Sequence, residues 1–454
     1  MDKLVKATLR KASRKSVEEV LPQLKRYFKL NKWLGNNNRY LVNVTKLLFE
    51  DTQPGRAIKH RHLAQYIAAS APLHCADGWS LLGRSIDCHS RGDTDAARHF
   101  AYYAELRAAM SLLAVEGVGI FSDRHFVVRT PTDCPHIGSL PRAGRRGGLP
   151  THSIVWSALN HWADLKRSTE LLGEMISAGG LSVAEWLEHF QTGPSFQPIG
   201  SQWLKTWGLD LRRMSDDRDA RNDASYRPTH LVPRGLPEAT ATVDFICALW
   251  SSCEPSSYSR FENLDRHLLR LTLEKAFEGT KGSTPIQDPA AFLNNVSLML
   301  DHANFEGPIR QEWLDFLTRK TEPQNPAIII ASQRLEDIHD INYHTQVLSR
   351  APLLLRVATG ACARLLQRTD LKKEDLKFWW LPLGQERGLW DAGFEPDQMT
   401  DLWADVDTAV EEVKSWEGAN AAQKPSLERW RRELPYQISV LGGFERVALW
   451  GLGL

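Results

Sequence analysis

The eleven residues Ala220–His230, ARNDASYRPTH, put two arginines, a tyrosine and a histidine directly behind the acidic run MSDDRD at 214–219. Arg221 keeps its charge at any physiological pH and can hold a phosphate in its planar fork. His230 has the side chain whose ordinary pKa lets it take and return protons near neutrality. Asn222 can orient either partner. Tyr226 stands one helical turn past Asn222 and can bind a phosphate, but a phenol is a poor proton shuttle near neutral pH. The competing reading is structural: Arg221 pairs with Asp216, Asp217 or Asp219, and Tyr226-Arg227-Pro228 closes a helix.

An Arg-Asn pair with a histidine shortly after it resembles the signature of the HEPN family of helical domains. The resemblance implies a metal-independent ribonuclease of a bacterial defence or toxin system. Arg221 would hold the scissile phosphate, His230 would move protons, Asn222 would orient one of them, and no cofactor would be needed. It also implies two copies of the motif paired across a dimer. Eight residues separate Arg221 from His230, more than the family pattern has, and Pro228 lies between them. Tyr226 can take the vacant place on that face in a divergent version.

Further groups carry other chemistries. Arg142, Arg145 and Arg146 lie among glycines in PRAGRRGGLPTH, just ahead of a helix start, where arginines and free backbone amides suit a phosphate. Residues 1–61 hold fifteen Lys/Arg against five Asp/Glu, and Lys11, Arg14 and Lys15 are the centre of that basic arm. Such an arm suits RNA, another nucleic acid or an acidic partner surface. Equally, residues 384–420, with ten acidic residues against two basic ones, could neutralise it within the protein.

Metal sites fare worse. His74-Cys75 and Cys88-His89 could supply four zinc ligands, but a helix of about 18 Å would hold the pairs apart. Glu336 and His339, i and i+3 on a helix face with Asp340 and His344 nearby, match half of a carboxylate-bridged di-metal site without its second half. No metal is assigned.

The elements that must position these groups read as mainly α, in a multi-domain helical protein with a small β-hairpin near 118–129. At 454 residues, with 42% hydrophobic and 24% charged residues, the chain is expected to form two or three domains. The expected regions are 1–70, basic and helical; 71–235, holding a helical hairpin, the β-hairpin and the Arg/Gly loop; and 236–454, helical, tryptophan-rich and partly acidic. Val17 to Leu34 reads as one amphipathic helix. Trp79, Leu82 and Ile86 lead through Arg91-Gly92-Asp93 into a second helix, a hairpin like one tetratricopeptide repeat without further copies. Thr151 is expected to cap a helix, and Pro352 to break or kink one. No apolar run approaches a membrane span and no secretory signal is visible, so a cytoplasmic protein is expected. A non-catalytic adaptor or scaffold subunit of a larger complex is the second functional expectation. It rests on the helical hairpin, the tryptophans and the charge asymmetry, with a protein partner or homo-oligomer implied.

Overall fold

The computed structural model describes residues 1–140, 148–190, 199–227, 238–340 and 342–454. Its architecture is mainly α. The elements that matter here are, in chain order, α1 (Arg14–Val20), α2 (His60–Ser90), α3 (Thr94–Val115), β1 (Val118–Phe121), β2 (Arg124–Val127), α4 (Thr151–Ala163), β3 (Ser177–Ala178), β4 (Leu181–Ser182), α5 (Met214–Tyr226), α6 (Ala239–Ser252), α7 (Glu262–Lys281), α8 (Tyr343–Arg368), α9 (Pro435–Gly442) and α10 (Glu445–Leu452).

Helices α2 and α3 form the expected hairpin. Gly92 turns the chain with φ +75°, and Asp93 caps α3 by accepting a hydrogen bond from the Ala96 amide at 3.0 Å. Both requirements were written into Arg91-Gly92-Asp93: a residue free to adopt positive φ and a carboxylate for the orphan amides of a helix start. The hairpin receives α8 across both of its helices, and α10 closes over α2 and α8. Buried apolar side chains from Val5 to Leu454 join in one continuous cluster around these helices.

The interior of α8 is buried almost from end to end. Pro352 sits inside this helix and Pro72 inside α2, and neither ends its helix. An interior proline costs about 3 kcal/mol, and helices packed on several sides can absorb that through apolar burial. The expected break at Pro352 is therefore absent.

Other expectations shift. The helix read over Val17–Leu34 is divided. α1 ends at Val20, a 3-10 turn covers Leu21–Leu24 with Pro22 in it, and a short helix Lys25–Phe28 follows. Pro22 removes a backbone donor and disfavours the helical conformation of the residue before it. Thr151 is the first helical residue of α4 rather than its cap, and its hydroxyl donates to the Ser122 carbonyl at 3.0 Å. The β1–β2 hairpin pairs Val118 with Val127 and Phe121 with Arg124, so its loop is two residues, Ser122-Asp123. Ser122 makes that possible by adopting φ +44°.

Candidate functional site

The site grows from one face of α5. Asp217, Arg221 and Ser225 recur every four residues, so they share a stripe. Opposite them, α3 presents His99, Tyr102, Tyr103 and Glu105, and α4 brings His152 and Trp156 alongside.

Asp217 is fully buried and anchors the base of the site. It accepts the Tyr343 hydroxyl at 2.8 Å and the Arg350 Nε at 2.9 Å, with a second, shorter bond from Arg350 Nη2. Glu105 lies 3.9 Å from Arg350 and is equally buried. Burial, followed by the charge of Asp217, pushes the Glu105 carboxyl well above the ordinary range, so it stays protonated. The two carboxyls thus carry one negative charge between them, opposite the single positive charge of Arg350.

Every acidic residue of the α5 motif is engaged elsewhere. Asp216 faces Arg213, Asp219 faces Arg218, Asp223 faces Arg227, and Asp217 holds Arg350. Arg221, at 7% exposure, has no carboxylate partner among the described residues. Its guanidinium carbon instead lies 5.2 Å from the centre of the Tyr102 ring and 5.3 Å from that of Tyr103, and its Nε is buried without a hydrogen bond. Aromatic faces stabilise a cation without neutralising it. The charge stays unneutralised.

Two histidines flank this arginine in complementary states. Ser225 Oγ donates to the Arg221 carbonyl at 2.8 Å, which uses its proton. The 2.7 Å contact between His99 Nδ1 and Ser225 Oγ therefore runs from His99, which leaves His99 Nε2 as a bare acceptor. Tyr102 shows the reverse pattern. Its oxygen accepts from Trp156 Nε1 at 3.4 Å, an arrangement that favours sending its own proton to His152 Nδ1 at 2.9 Å. His152 then carries its proton on Nε2 and donates from there. Burial first, then Arg221, lowers the pKa of both histidines, and Arg218 adds to the effect at His152. Both are neutral at pH 7. Both neutral histidines thus lie within the field of the unneutralised Arg221.

Of the residues singled out in the sequence, Arg221 lies against Tyr102 and Tyr103, and Asn222 is half-buried beside it. Tyr226 is 81% exposed at the end of α5 and takes no part in the cluster. His230 lies outside the described residues, as do Arg142, Arg145 and Arg146. Lys11 and Lys15 are exposed, whereas Arg14 points inward, 3.7 Å from buried Glu116. None of the ion pairs among the described residues joins 1–61 to 384–420. Lys25 meets Asp375, Arg39 meets Glu50 and Asp51, and Asp405 meets Arg446. His99 and His152 were missed, and so were Glu105 and Arg350. The available signal was polar residues on otherwise apolar helices, as in Arg98-His99-Phe-Ala-Tyr-Tyr-Ala-Glu105.

The proposed metal ligands are not brought together. His74 accepts from Arg107 Nη1 at 2.8 Å, Cys75 contacts Thr359 Oγ1 at 3.2 Å, and His89 packs against His344 and Phe245. Residues 334–340 are not helical, so Glu336 and His339 do not share a helix face, and Glu336 accepts from Gln346 at 2.8 Å. Among the described residues, no three His, Cys, Asp or Glu side chains form a metal-binding group, and no helix is long and apolar enough to cross a membrane.

Compared with protein-family models, curated proteins and solved structures, the chain matches none.

Proposed function

We propose that the α3–α4–α5 site binds single-stranded RNA and cleaves its backbone without a metal ion, in the manner of a HEPN-like ribonuclease. The observation that carries this reading is Arg221, the guanidinium left without a carboxylate on a helix whose every acidic residue is engaged elsewhere. His99 Nε2 takes the proton of a ribose 2′-hydroxyl, and the freed oxygen attacks the adjacent phosphorus. Arg221 stabilises the extra negative charge, and the His152 Nε2–H donates to a non-bridging oxygen. The bond from phosphorus to the 5′ oxygen breaks, and the imidazolium of His99 returns its proton to that oxygen. The products are a 2′,3′-cyclic phosphate and a 5′-hydroxyl. A bacterial defence or toxin setting, a cytoplasmic location and a dimer with paired sites follow from the resemblance alone and belong to the proposal. The adaptor alternative expected Arg221 to be neutralised by its acidic neighbours, which instead serve Arg213, Arg350, Arg218 and Arg227.

The test is cleavage of a labelled oligoribonucleotide in EDTA by the full chain, with Arg221→Ala, His99→Gln and His230→Ala beside it. Arg221→Ala and His99→Gln are expected to lose on the order of 100-fold or more in rate. His230→Ala decides whether that residue shares proton transfer. A folded protein that neither cleaves nor binds RNA in an Arg221-dependent way sinks the reading.

A further inference from the structure

A cleft of about 460 Å³ opens at the end of α8 away from Arg350. Its walls come from the approach to α7, the last turns of α8, the connection at 371–373 and the chain's end after α10. Its volume falls in the range of small-molecule sites. Arg260, Arg356, Arg364, Lys372 and Lys373 all line it, and no aspartate or glutamate does.

The cations divide into one that is neutralised and four that are not. Arg356 is held by fully buried Asp265, with Nε to Oδ1 at 2.8 Å, and its guanidinium lies 4.6 Å from the Phe261 ring centre. The other four have no carboxylate partner among the described residues. Arg260 donates to the Gly451 carbonyl at 3.3 Å. Arg364 donates to the Glu174 carbonyl at 2.5 Å and to the Gln367 amide oxygen at 3.0 Å. Lys373 Nζ donates to the carbonyls of Pro396 at 3.3 Å and Asp397 at 2.5 Å. Lys372 is exposed.

Neutral acceptors of this kind fix the direction of a cation while leaving its charge intact. Gly453 shows how closely Arg260 is held. A Cβ there would sit 2.2 Å from Arg260 Nη2, and the residue adopts φ +80°. A side chain at 453 would push the guanidinium aside. Arg260 is open to solvent yet surrounded by protein, as a cleft residue must be, and its pKa is lowered by burial and by Arg356 and Arg364. Charges gathered against mutual repulsion in a concave, low-dielectric wall focus an attractive field for a multiply charged anion. Arginine forks match phosphoryl oxygens in particular. At the mouth, Tyr258 is 74% exposed and offers an aromatic face beside the charged wall.

We propose that this cleft binds a small molecule carrying a di- or triphosphate group, with Arg260, Arg364 and Lys372 as its ligands; the Lys373 ammonium turns away to Pro396, Asp397 and the Trp380 ring. The reading is independent of the RNA site. Arg350, at that site, and Arg364 lie fourteen residues apart on α8, about 21 Å along its axis.

Isothermal titration of the full chain with inorganic triphosphate, ATP, orthophosphate and adenosine tests it. Triphosphate and ATP are expected to bind with a Kd that rises with salt, and orthophosphate far more weakly. Tighter binding of ATP than of triphosphate would assign the nucleoside to Tyr258, and equal binding would restrict the site to the polyphosphate. Lys372→Ala, at an exposed position that cannot unsettle the fold, and Arg260→Ala are each expected to raise Kd tenfold or more. Arg221→Ala is expected to leave it unchanged, which separates this site from the other. No binding of triphosphate or ATP at millimolar concentration, or binding indifferent to both cleft variants, overturns the proposal. So does a cleft whose Arg260-dependent ligand is oligoribonucleotide alone.

Discussion

At the scale of single residues, Asp217 and Glu105 make opposite predictions although both are buried acids beside Arg350. Asp217 holds Arg350 through two bonds. Removing one partner of a buried pair costs about 3–5 kcal/mol, because the other charge is left uncompensated. Asp217→Asn is expected to approach that loss in urea unfolding, less whatever Glu105 recovers by ionising in its place. The double variant Asp217→Asn/Glu105→Gln blocks that recovery, so its loss should exceed the sum of the single ones. Glu105→Gln alone behaves differently. The raised carboxyl binds its proton more tightly in the folded chain than in the unfolded one, so its contribution is lost as pH rises above about 4.5. Glu105→Gln should therefore raise stability, and raise it more at pH 8 than at pH 5. If it destabilised the protein more at pH 8, the protonated assignment would fail. None of this pairing was visible in the chain. The run MSDDRDARND offers four carboxylates near Arg221; three of them take the neighbouring Arg213, Arg218 and Arg227, and Asp217 takes Arg350 of α8, more than a hundred residues away. Arg221 itself was legible because arginine and asparagine side by side on a polar helix are an unusual expense of charge. His99 and His152 were not, since each is an ordinary residue until α5 is laid across α3 and α4.

At the scale of elements, local rules decided whatever was decided locally. The α2–α3 turn and the β1–β2 hairpin follow from glycine, aspartate and alternating apolar residues, and both were read correctly in kind. A second hairpin, β3–β4, was overlooked although Gly179-Gly180 separates its strands with φ of +59° and +82°. That dipeptide is a direct hairpin signal. Pro352 does not end its helix because the rule for interior prolines concerns the isolated helix, and α8 is held by its neighbours. Helix approach gives a sharper test. A Cβ on Gly83 of α2 would lie 2.4 Å from the Gly442 carbonyl oxygen of α9, a backbone atom that cannot turn away. A Cβ on Gly78 would lie 2.6 Å from Leu355 Cδ2, the free end of a flexible side chain. Both substitutions improve helix propensity by up to about 1 kcal/mol. Gly83→Ala is nonetheless expected to destabilise by about 1–3 kcal/mol, as overpacking does, and Gly78→Ala by clearly less. Thermal midpoints of the two variants check the order, and a reversed order would mean that α2 and α9 separate easily.

At the scale of the whole molecule, the buried titratable groups set an unusual pH dependence. Burial lowers His74, His89 and His267 to about 3 and His125 to about 4. Each is held neutral in the fold and protonates more readily once unfolded, near 6.5. The stability they contribute is complete above 6.5 and is lost as pH falls towards 4 and below. Glu105, Glu116 and Asp265 are displaced the other way by burial, and Glu417 rises to about 7. Their contribution is complete below about 4 and is lost as pH rises through their folded values. Between about 4.5 and 6.5 the two sets oppose one another. Below that window the histidines act alone, joined by hydrogen-bonded carboxylates such as Asp210 and Glu185 whose pKa values are lowered. Above it only the raised carboxyls still titrate, with Cys134 and Cys247 following beyond pH 9, as burial lifts both to about 12. The thermal midpoint should therefore peak on the acid side of neutrality and fall in both directions. Calorimetry from pH 3.5 to 9 measures this, with His89→Gln expected to flatten the acid limb and Glu105→Gln the alkaline one. A midpoint that is higher at pH 8 than at pH 5.5 would show that the buried carboxyls are ionised in the fold. Asp217 and Glu105 would then both be charged beside Arg350.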